Sequence, residues 1–334
     1  MSDIFDTLPS TPPNSWAKFG DIDWQPSDLS PYLYQAMIDV GDGITLCVEA
    51  GGNPNNPPLL FITGFGSQLM FWSDTFLKQF IDAHFFVIRF DNRDTGLSTK
   101  IYMDNLPRTN IVKMVAKNQI GLSNKQEKVA YTLTDMARDT AGLIRAMNLG
   151  KVNLVGASMG GIIGQILSAS YPTLVNSLTL LFSSNNKAFL APPKPKQFAT
   201  FFRKPQGQTE RDLVRHAVWF MTTVGSPGHL DIKNTRAIAE CRYRRCFYPL
   251  GIAQQMNAIL ATGSVLDYSK KITVPTLIIH GTKDSLIHQS HGKHLAKVIH
   301  NSRFVAVDGM GHDLPAYYQP YLVDLISKHC AMNE

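Results

Sequence analysis

Short, almost wholly apolar runs alternate along this chain with segments of helical periodicity, and this alternation constrains the fold more than any other feature. The apolar runs include PLLFITG (58–64), FFVIRFD (85–91) and VNLVGAS (152–158). Strands that are apolar on both faces are typical of parallel sheets, which helices cover on both sides. Together with a hairpin formed by YQAMIDV (34–40) and ITLCVEAGG (44–52), eight strands can be counted. The sequence therefore predicts an α/β fold with a mostly parallel, eight-stranded sheet flanked by helices.

One long segment interrupts the alternation. Residues 184–271 contain helical spacing but no strand-like run, and they are too many for an ordinary crossover between two strands. We therefore expect a helical cap (lid) at 184–271, inserted into a core formed by 35–183 and 272–334. Residues 1–34 are rich in proline and serine, and we expect this lead segment to lie across the core.

The stretch LVGASMGGIIGQ surrounds one serine with glycines at the end of a predicted strand. A chain that turns abruptly there into a helix brings the neighbours of the corner residue almost into contact, so they must be small. Gly156, Gly160 and Gly161 meet that need. The pattern is the G-x-S-x-G nucleophile elbow, and it predicts Ser158 as a nucleophile at the carboxyl edge of the sheet.

A serine hydroxyl needs a base to take its proton, and the base needs an acid to orient it. In this arrangement the acid and the histidine follow later strands, in that order. Asp284 follows the strand-like run VPTLIIHG, and His312 follows SRFVAVDG. His280 is better interpreted as a packed core histidine, Asp313 is too close to the histidine to orient it, and Asp91 precedes the serine.

An enzyme of this type also needs two backbone N–H groups that stabilise the oxyanion. Met159 follows the predicted nucleophile and supplies one of them. The other is expected from Phe65, which stands between two glycines in the loop TGFGS after the strand at 58–62. We therefore predict Phe65 and Met159 as the oxyanion hole.

Charge and composition exclude several function classes. The net charge is +6, and residues 184–271 carry 14 Lys/Arg and 5 Asp/Glu, a balance of 14 − 5 = +9. This surplus suits a solvated surface or an acidic substrate, and no nucleic-acid-binding module accompanies it. The histidines lack metal-site spacing and no nucleotide-binding glycine motif is present, so neither a metal nor an organic cofactor is expected. No signal peptide or membrane span is evident, which predicts a cytoplasmic protein.

The motifs RFDNRDTGLS, GASMGG, HGTKD and GMGHDLP resemble the α/β-hydrolase fold, and in particular bacterial carboxylesterases/lipases close to the aclacinomycin methylesterase-like hydrolases. The resemblance covers essentially the whole chain after residue 34. It implies a triad of Ser158, Asp284 and His312, with Phe65 and Met159 as the oxyanion hole.

Two positions depart from that family pattern. Thr63 precedes Gly64 where many relatives have histidine, and Asp94 stands where the broader fold usually has glycine. Neither departure removes a catalytic group.

The expected activity is hydrolysis of a small-molecule carboxylic ester through an acyl-enzyme. Aromatic and methionine side chains in the cap, among them Trp219, Phe220 and Met221, either form the cap's own core or line an apolar pocket that would suit an apolar acyl or alcohol part. A carbon–carbon bond hydrolase, a thioesterase or a lactonase would use the same groups. A receptor that reuses the fold to bind a ligand with little turnover is the alternative from another class, and the oligomeric state stays open.

Overall fold

A nine-stranded sheet forms the centre of the protein. The structure is a computed structural model, and it describes residues 8–9, 12–102, 110–201 and 203–332. In chain order the strands are β1 (Gln25–Pro26), β2 (Tyr34–Asp39), β3 (Thr45–Gly51), β4 (Pro58–Ile62), β5 (Phe86–Phe90), β6 (Val152–Ala157), β7 (Val175–Leu181), β8 (Thr276–Gly281) and β9 (Ser302–Val307).

The strand order in the sheet is β1-β2-β3-β5-β4-β6-β7-β8-β9. The first three pairings in this order are antiparallel, and the remaining five, from β5·β4 to β8·β9, are parallel. Parallel strands present their carboxyl ends at one edge of the sheet. The loops that follow β4, β6, β8 and β9 therefore meet at one edge, and these loops contain the predicted site residues.

The predicted α/β sheet is confirmed, but the strand count of eight was wrong by one. The additional strand, β1, pairs its two residues with Gln35 and Tyr34 of β2. It lies within the lead segment, and two residues are too short to show an alternating pattern. Pro26 has no N–H to contribute to a ladder, and such a residue is tolerated at the sheet edge.

Eleven α-helices lie in the described residues: α1 (Asp74–Asp82), α2 (Ile111–Gln119), α3 (Leu133–Ala146), α4 (Met159–Ser170), α5 (Pro195–Phe198), α6 (Glu210–Val224), α7 (Ile232–Arg245), α8 (Pro249–Thr262), α9 (Leu266–Ser269), α10 (Ser290–Val298) and α11 (Gln319–Ala331). Helices α5 to α9 lie between β7 and β8, in the segment for which the sequence predicts a cap. Within the described part of the chain, no helix is both long enough and apolar enough to cross a membrane.

Alternate residues of the central strands pack against different helices. On β4, Leu60 and Ile62 belong to the hydrophobic cluster that includes residues of α3 and α4, whereas Leu59 and Phe61 belong to the cluster of α1 and α11. All four side chains are fully buried. This two-sided burial explains why the strand is apolar at every position.

Part of the lead segment belongs to the hydrophobic core. Trp16 is only 4% exposed. Its ring centroid lies 5.1 Å from that of Trp24, 5.2 Å from that of Tyr34 and 5.2 Å from that of Phe86. Edge-on aromatic pairs at these distances add to the free energy of burial. The lead segment thus packs against the sheet through its tryptophans.

We predict that Trp16→Ala lowers the free energy of unfolding by about 3–5 kcal/mol, the usual cost of removing a buried indole. Urea denaturation followed by circular dichroism would measure this change. Met37→Ala is a suitable control because Met37 lies on β2 but is 50% exposed. Equal stability of the two variants would contradict a core role for the lead segment.

Candidate active site

Ser158 occupies the corner between β6 and α4, and its backbone is strained. Its φ of 52° and ψ of −116° are uncommon for a residue other than glycine. The end of β7 and the loop after it hold the corner in place: the Ser158 N–H donates to the Leu181 carbonyl at 3.0 Å, and the Ser158 carbonyl accepts from Ser183 Oγ at 2.7 Å. The side chain is therefore presented at the carboxyl edge of the sheet on a firmly held backbone.

The three glycines around the serine permit contacts that no larger residue allows. A Cβ atom added to Gly156 would lie 2.5 Å from the Gly160 carbonyl oxygen. One added to Gly160 would lie 2.2 Å from the Ile62 carbonyl oxygen, and one added to Gly161 would lie 2.5 Å from Ser183 Oγ. Close backbone packing between α4 and its neighbouring strands thus explains the glycines of the motif.

Asp284 and His312 meet across the loops that follow β8 and β9. His312 Nδ1 lies 2.8 Å from Asp284 Oδ2, which is hydrogen-bonding distance. The other carboxylate oxygen accepts from the backbone N–H groups of Leu286 at 3.0 Å and Ile287 at 2.9 Å. One oxygen therefore orients the acid within its own loop, and the other is directed to the histidine.

The environment of Asp284 favours its ionised form. Burial alone raises the pKa of this carboxyl, but the electrostatic interaction with His312 and hydrogen bonds from His280 and His312 outweigh burial and hold the pKa well below its usual range. His280 is fully buried, as predicted, and its Nε2 lies 3.4 Å from Asp284 Oδ2 and 2.7 Å from the Ile287 carbonyl. This contact with the acid was not predicted from the sequence, because His280 lies at the end of a strand and Asp284 lies in the loop that follows it.

The two other acids considered from the sequence have partners elsewhere. Asp313 accepts from the Ser226 N–H at 3.0 Å and from Ser226 Oγ at 2.5 Å. Asp91 accepts from the Leu69 N–H at 2.7 Å and pairs with Arg245 at 2.7 Å. In the described part of the chain, no cluster of three or more His, Cys, Asp or Glu side chains is arranged to hold a metal ion.

Ser158 and His312 approach the same strand end without bonding to each other. The ring of Phe182 lies 4.7 Å from the imidazole of His312, and the residues on either side of Phe182 are the two that hold the Ser158 backbone. Among the hydrogen bonds of residues 8–9, 12–102, 110–201 and 203–332, none joins Ser158 Oγ to His312. Hydrogen bonds of this kind are often long in an unliganded enzyme and tighten when substrate binds.

The loop of Phe65 lies against the predicted nucleophile. A Cβ atom added to Gly64 would be 3.4 Å from Ser158 Cβ and 4.0 Å from its Oγ. Met159 is the first residue of α4, where N–H groups lack partners within the helix and the helix dipole is positive. Among the described residues, neither the Phe65 N–H nor the Met159 N–H donates a hydrogen bond. Both N–H groups thus lack an acceptor within the described part of the chain.

The two departures from the family pattern have local structural reasons. Asp94 has a φ of 66°, a conformation that glycine adopts most easily, and its Oδ1 accepts from the Ile101 N–H at 2.7 Å. Thr63 is fully buried, and its Oγ1 accepts from Asn92 Nδ2 at 3.0 Å. Thr63 is thus hydrogen-bonded within the core, whereas only one of the two carboxylate oxygens of Asp94 has a hydrogen-bond partner among the described residues.

Comparison with known proteins decides the family. A family model described as "alpha/beta hydrolase fold" matches residues 57–316. The chain belongs to this family. The chain is 26% identical over 310 residues to rhodomycin D methylesterase of Streptomyces peucetius. This match covers 86% of this chain and 95% of that protein.

Solved structures of other α/β hydrolases share the fold. A 2-hydroxy-6-oxo-6-phenylhexa-2,4-dienoate hydrolase from Rhodococcus sp. superposes with a TM-score of 0.67 at 15% identity, covering 89% of this chain and 98% of that chain. An enol-lactonase from Burkholderia xenovorans superposes with a TM-score of 0.63 at 18% identity, covering 88% of this chain and 98% of that chain. At these identities the likeness concerns the fold alone.

We predict that Gly160→Ala lowers the free energy of unfolding by at least about 2 kcal/mol, because the added methyl group collides with the rigid carbonyl of Ile62. Gly164→Ala on the same helix is the matched control. Its added Cβ would meet only the end of the Leu178 side chain, at 3.1 Å, so its stability should stay within about 1 kcal/mol of the wild type. Urea denaturation of both variants checks the difference, and equal losses would argue against a tight corner.

Proposed function

We propose that this α/β hydrolase cleaves carboxylic esters, with Ser158 as nucleophile, His312 as general base and Asp284 as the acid that orients the base. The observation that carries the proposal is the hydrogen bond between buried Asp284 and His312 at the sheet edge that also presents Ser158 on its strained corner. These groups and their chain order are those of a serine hydrolase.

In the first step, Ser158 Oγ attacks the carbonyl carbon of the ester while His312 takes the hydroxyl proton. The π electrons of the carbonyl move to its oxygen, and the resulting oxyanion accepts hydrogen bonds from the N–H groups of Phe65 and Met159. Asp284 remains ionised and stabilises the imidazolium through the 2.8 Å contact with Nδ1.

In the second step, the tetrahedral intermediate collapses and the bond to the alcohol oxygen breaks. His312 gives its proton to this oxygen, the alcohol leaves, and an acyl group stays on Ser158. A water molecule then attacks the acyl carbonyl while His312 takes one of its protons. The carboxylic acid leaves, and the proton returns to Ser158 through His312.

The substrate enters, in this proposal, between the sheet edge and a cap formed by residues 184–271. Trp219, Phe220 and Met221 of α6 are half-buried, and their apolar side chains suit an apolar acyl or alcohol part. The relative from Streptomyces peucetius, which is named a methylesterase, supports an ester as the substrate class.

We predict that the wild type hydrolyses p-nitrophenyl esters with a maximum at one acyl length between acetate and palmitate. Ser158→Ala should lower kcat by roughly 10⁴-fold or more, because removal of the nucleophile of a triad leaves only residual catalysis. Release of p-nitrophenol measures both. A fluorophosphonate probe should label the wild type, with Ser158 Oγ bonded to phosphorus and fluoride released, and should leave Ser158→Ala unlabelled.

Two outcomes would contradict the esterase proposal in different ways. A folded wild type that reacts with the fluorophosphonate but cleaves no ester would indicate a thioester, a lactone or a carbon–carbon bond as the substrate. A folded wild type that does neither would indicate a receptor whose serine is not activated. Unchanged hydrolysis in Ser158→Ala would exclude Ser158 as the nucleophile.

A further inference from the structure

The loop that contains Phe65 is held by helices that lie between β7 and β8, outside the predicted core. The Gly66 N–H donates to Gln255 Oε1 at 2.9 Å, and the Gly66 carbonyl accepts from Arg242 Nη2 at 2.5 Å. Gln255 belongs to α8 and Arg242 to α7. Both backbone groups of the residue after Phe65 thus bond to side chains of the segment predicted to be the cap.

Gln255 connects this loop to a rigid part of the core. Its side chain is fully buried, and its Nε2 donates to the Arg93 carbonyl at 3.1 Å. Arg93 is itself fixed by two hydrogen bonds to Asp139, at 2.6 and 2.5 Å, and both of these residues are buried. A buried amide whose oxygen and nitrogen are both bonded has a single favourable orientation.

The backbone at Gly66 depends on these contacts. Its φ of 62° is left-handed, and the Ile252 side chain of α8 would lie 3.8 Å from a Cβ added there. The N–H that Gln255 accepts belongs to the peptide unit joining Phe65 to Gly66. This bond holds the chain on the carboxyl side of Phe65, and Gly64 packs against Ser158 on the amino side. Restraint at both ends limits the φ and ψ angles of Phe65, and with them the direction of its own N–H, which is the predicted oxyanion donor.

We propose that Gln255 is a positioning residue for the oxyanion hole, and that Arg242 holds the other side of the same loop. The proposal rests on the function proposed above, because it gives the Phe65 N–H its role. In this arrangement α7 and α8 help to align the reacting groups. A displacement of these groups by about 1 Å strongly lowers the reaction rate.

Gln255→Leu tests the proposal, with Gln254→Leu as the matched control. Gln254 is the preceding residue of α8, is also buried, and donates to the Ile101 carbonyl at 2.9 Å, away from the Phe65 loop. Gln255→Leu should lower kcat for a p-nitrophenyl ester by about 10- to 100-fold with KM changed by less than about threefold, since the oxyanion forms only after binding. The rate constant for inactivation by the fluorophosphonate should fall in parallel, and Gln254→Leu should change neither by more than about threefold.

Thermal unfolding of both leucine variants separates positioning from stability. Equal kcat losses in the two variants, or a Gln255→Leu enzyme within twofold of the wild type, would overturn the proposal. Should Gln255→Leu fail to fold, Arg242→Met removes the bond to the Gly66 carbonyl and is expected to show the same pattern of lower kcat and unchanged KM.

Failure of the proposed function gives a different result. A wild type that cleaves no ester but reacts with the fluorophosphonate contradicts the esterase activity, and the inactivation rates of the variants then decide the role of Gln255. A wild type that reacts with neither contradicts both proposals.

Discussion

The strained backbone of Ser158 is the constraint on which the rest of the candidate site depends. A φ of 52° at a serine persists only because the surrounding structure holds it, here through bonds to Leu181 and Ser183 of the β7 end. Those bonds require α4 to pack closely on the sheet, which in turn requires glycine at the contact points. The acid, the histidine and the Phe65 loop are then arranged around this corner by the parallel strands that end beside it.

The segment between β7 and β8 bonds to two of the loops at this edge. The His312 N–H donates to the Val224 carbonyl at 2.9 Å, and the Gly311 N–H donates to Ser226 Oγ at 2.8 Å. Together with Gln255 on the Phe65 loop, these bonds connect the segment to both the histidine and the predicted oxyanion donor. These hydrogen bonds link the position of the segment to the alignment of the proposed reacting groups.

The sequence predicted the sheet well where strands are buried on both faces and poorly at the edge. β4 and β6 are apolar at nearly every position because helices cover both sides, and that pattern is visible without a structure. β1 was missed because two residues cannot show a period and because Pro26 is a poor strand former. The burial of Trp16 was also missed, since a proline-rich segment gives no periodic signal of the surface that it covers.

By itself, the sequence determined the α/β alternation, the glycine-lined corner at Ser158 and the order of the acid and the histidine along the chain. These features are local, because strand burial and close backbone approach each restrict residue type within a few positions. The sequence also favoured Asp284 over Asp91 and Asp313 as the partner of His312, and these two side chains do meet. Only the tertiary structure decided that His280 contacts the same carboxylate and that Gln255 holds Gly66 across 189 residues of chain. Contacts between distant segments depend on how helices and loops pack, and a local pattern of residues does not predict that packing.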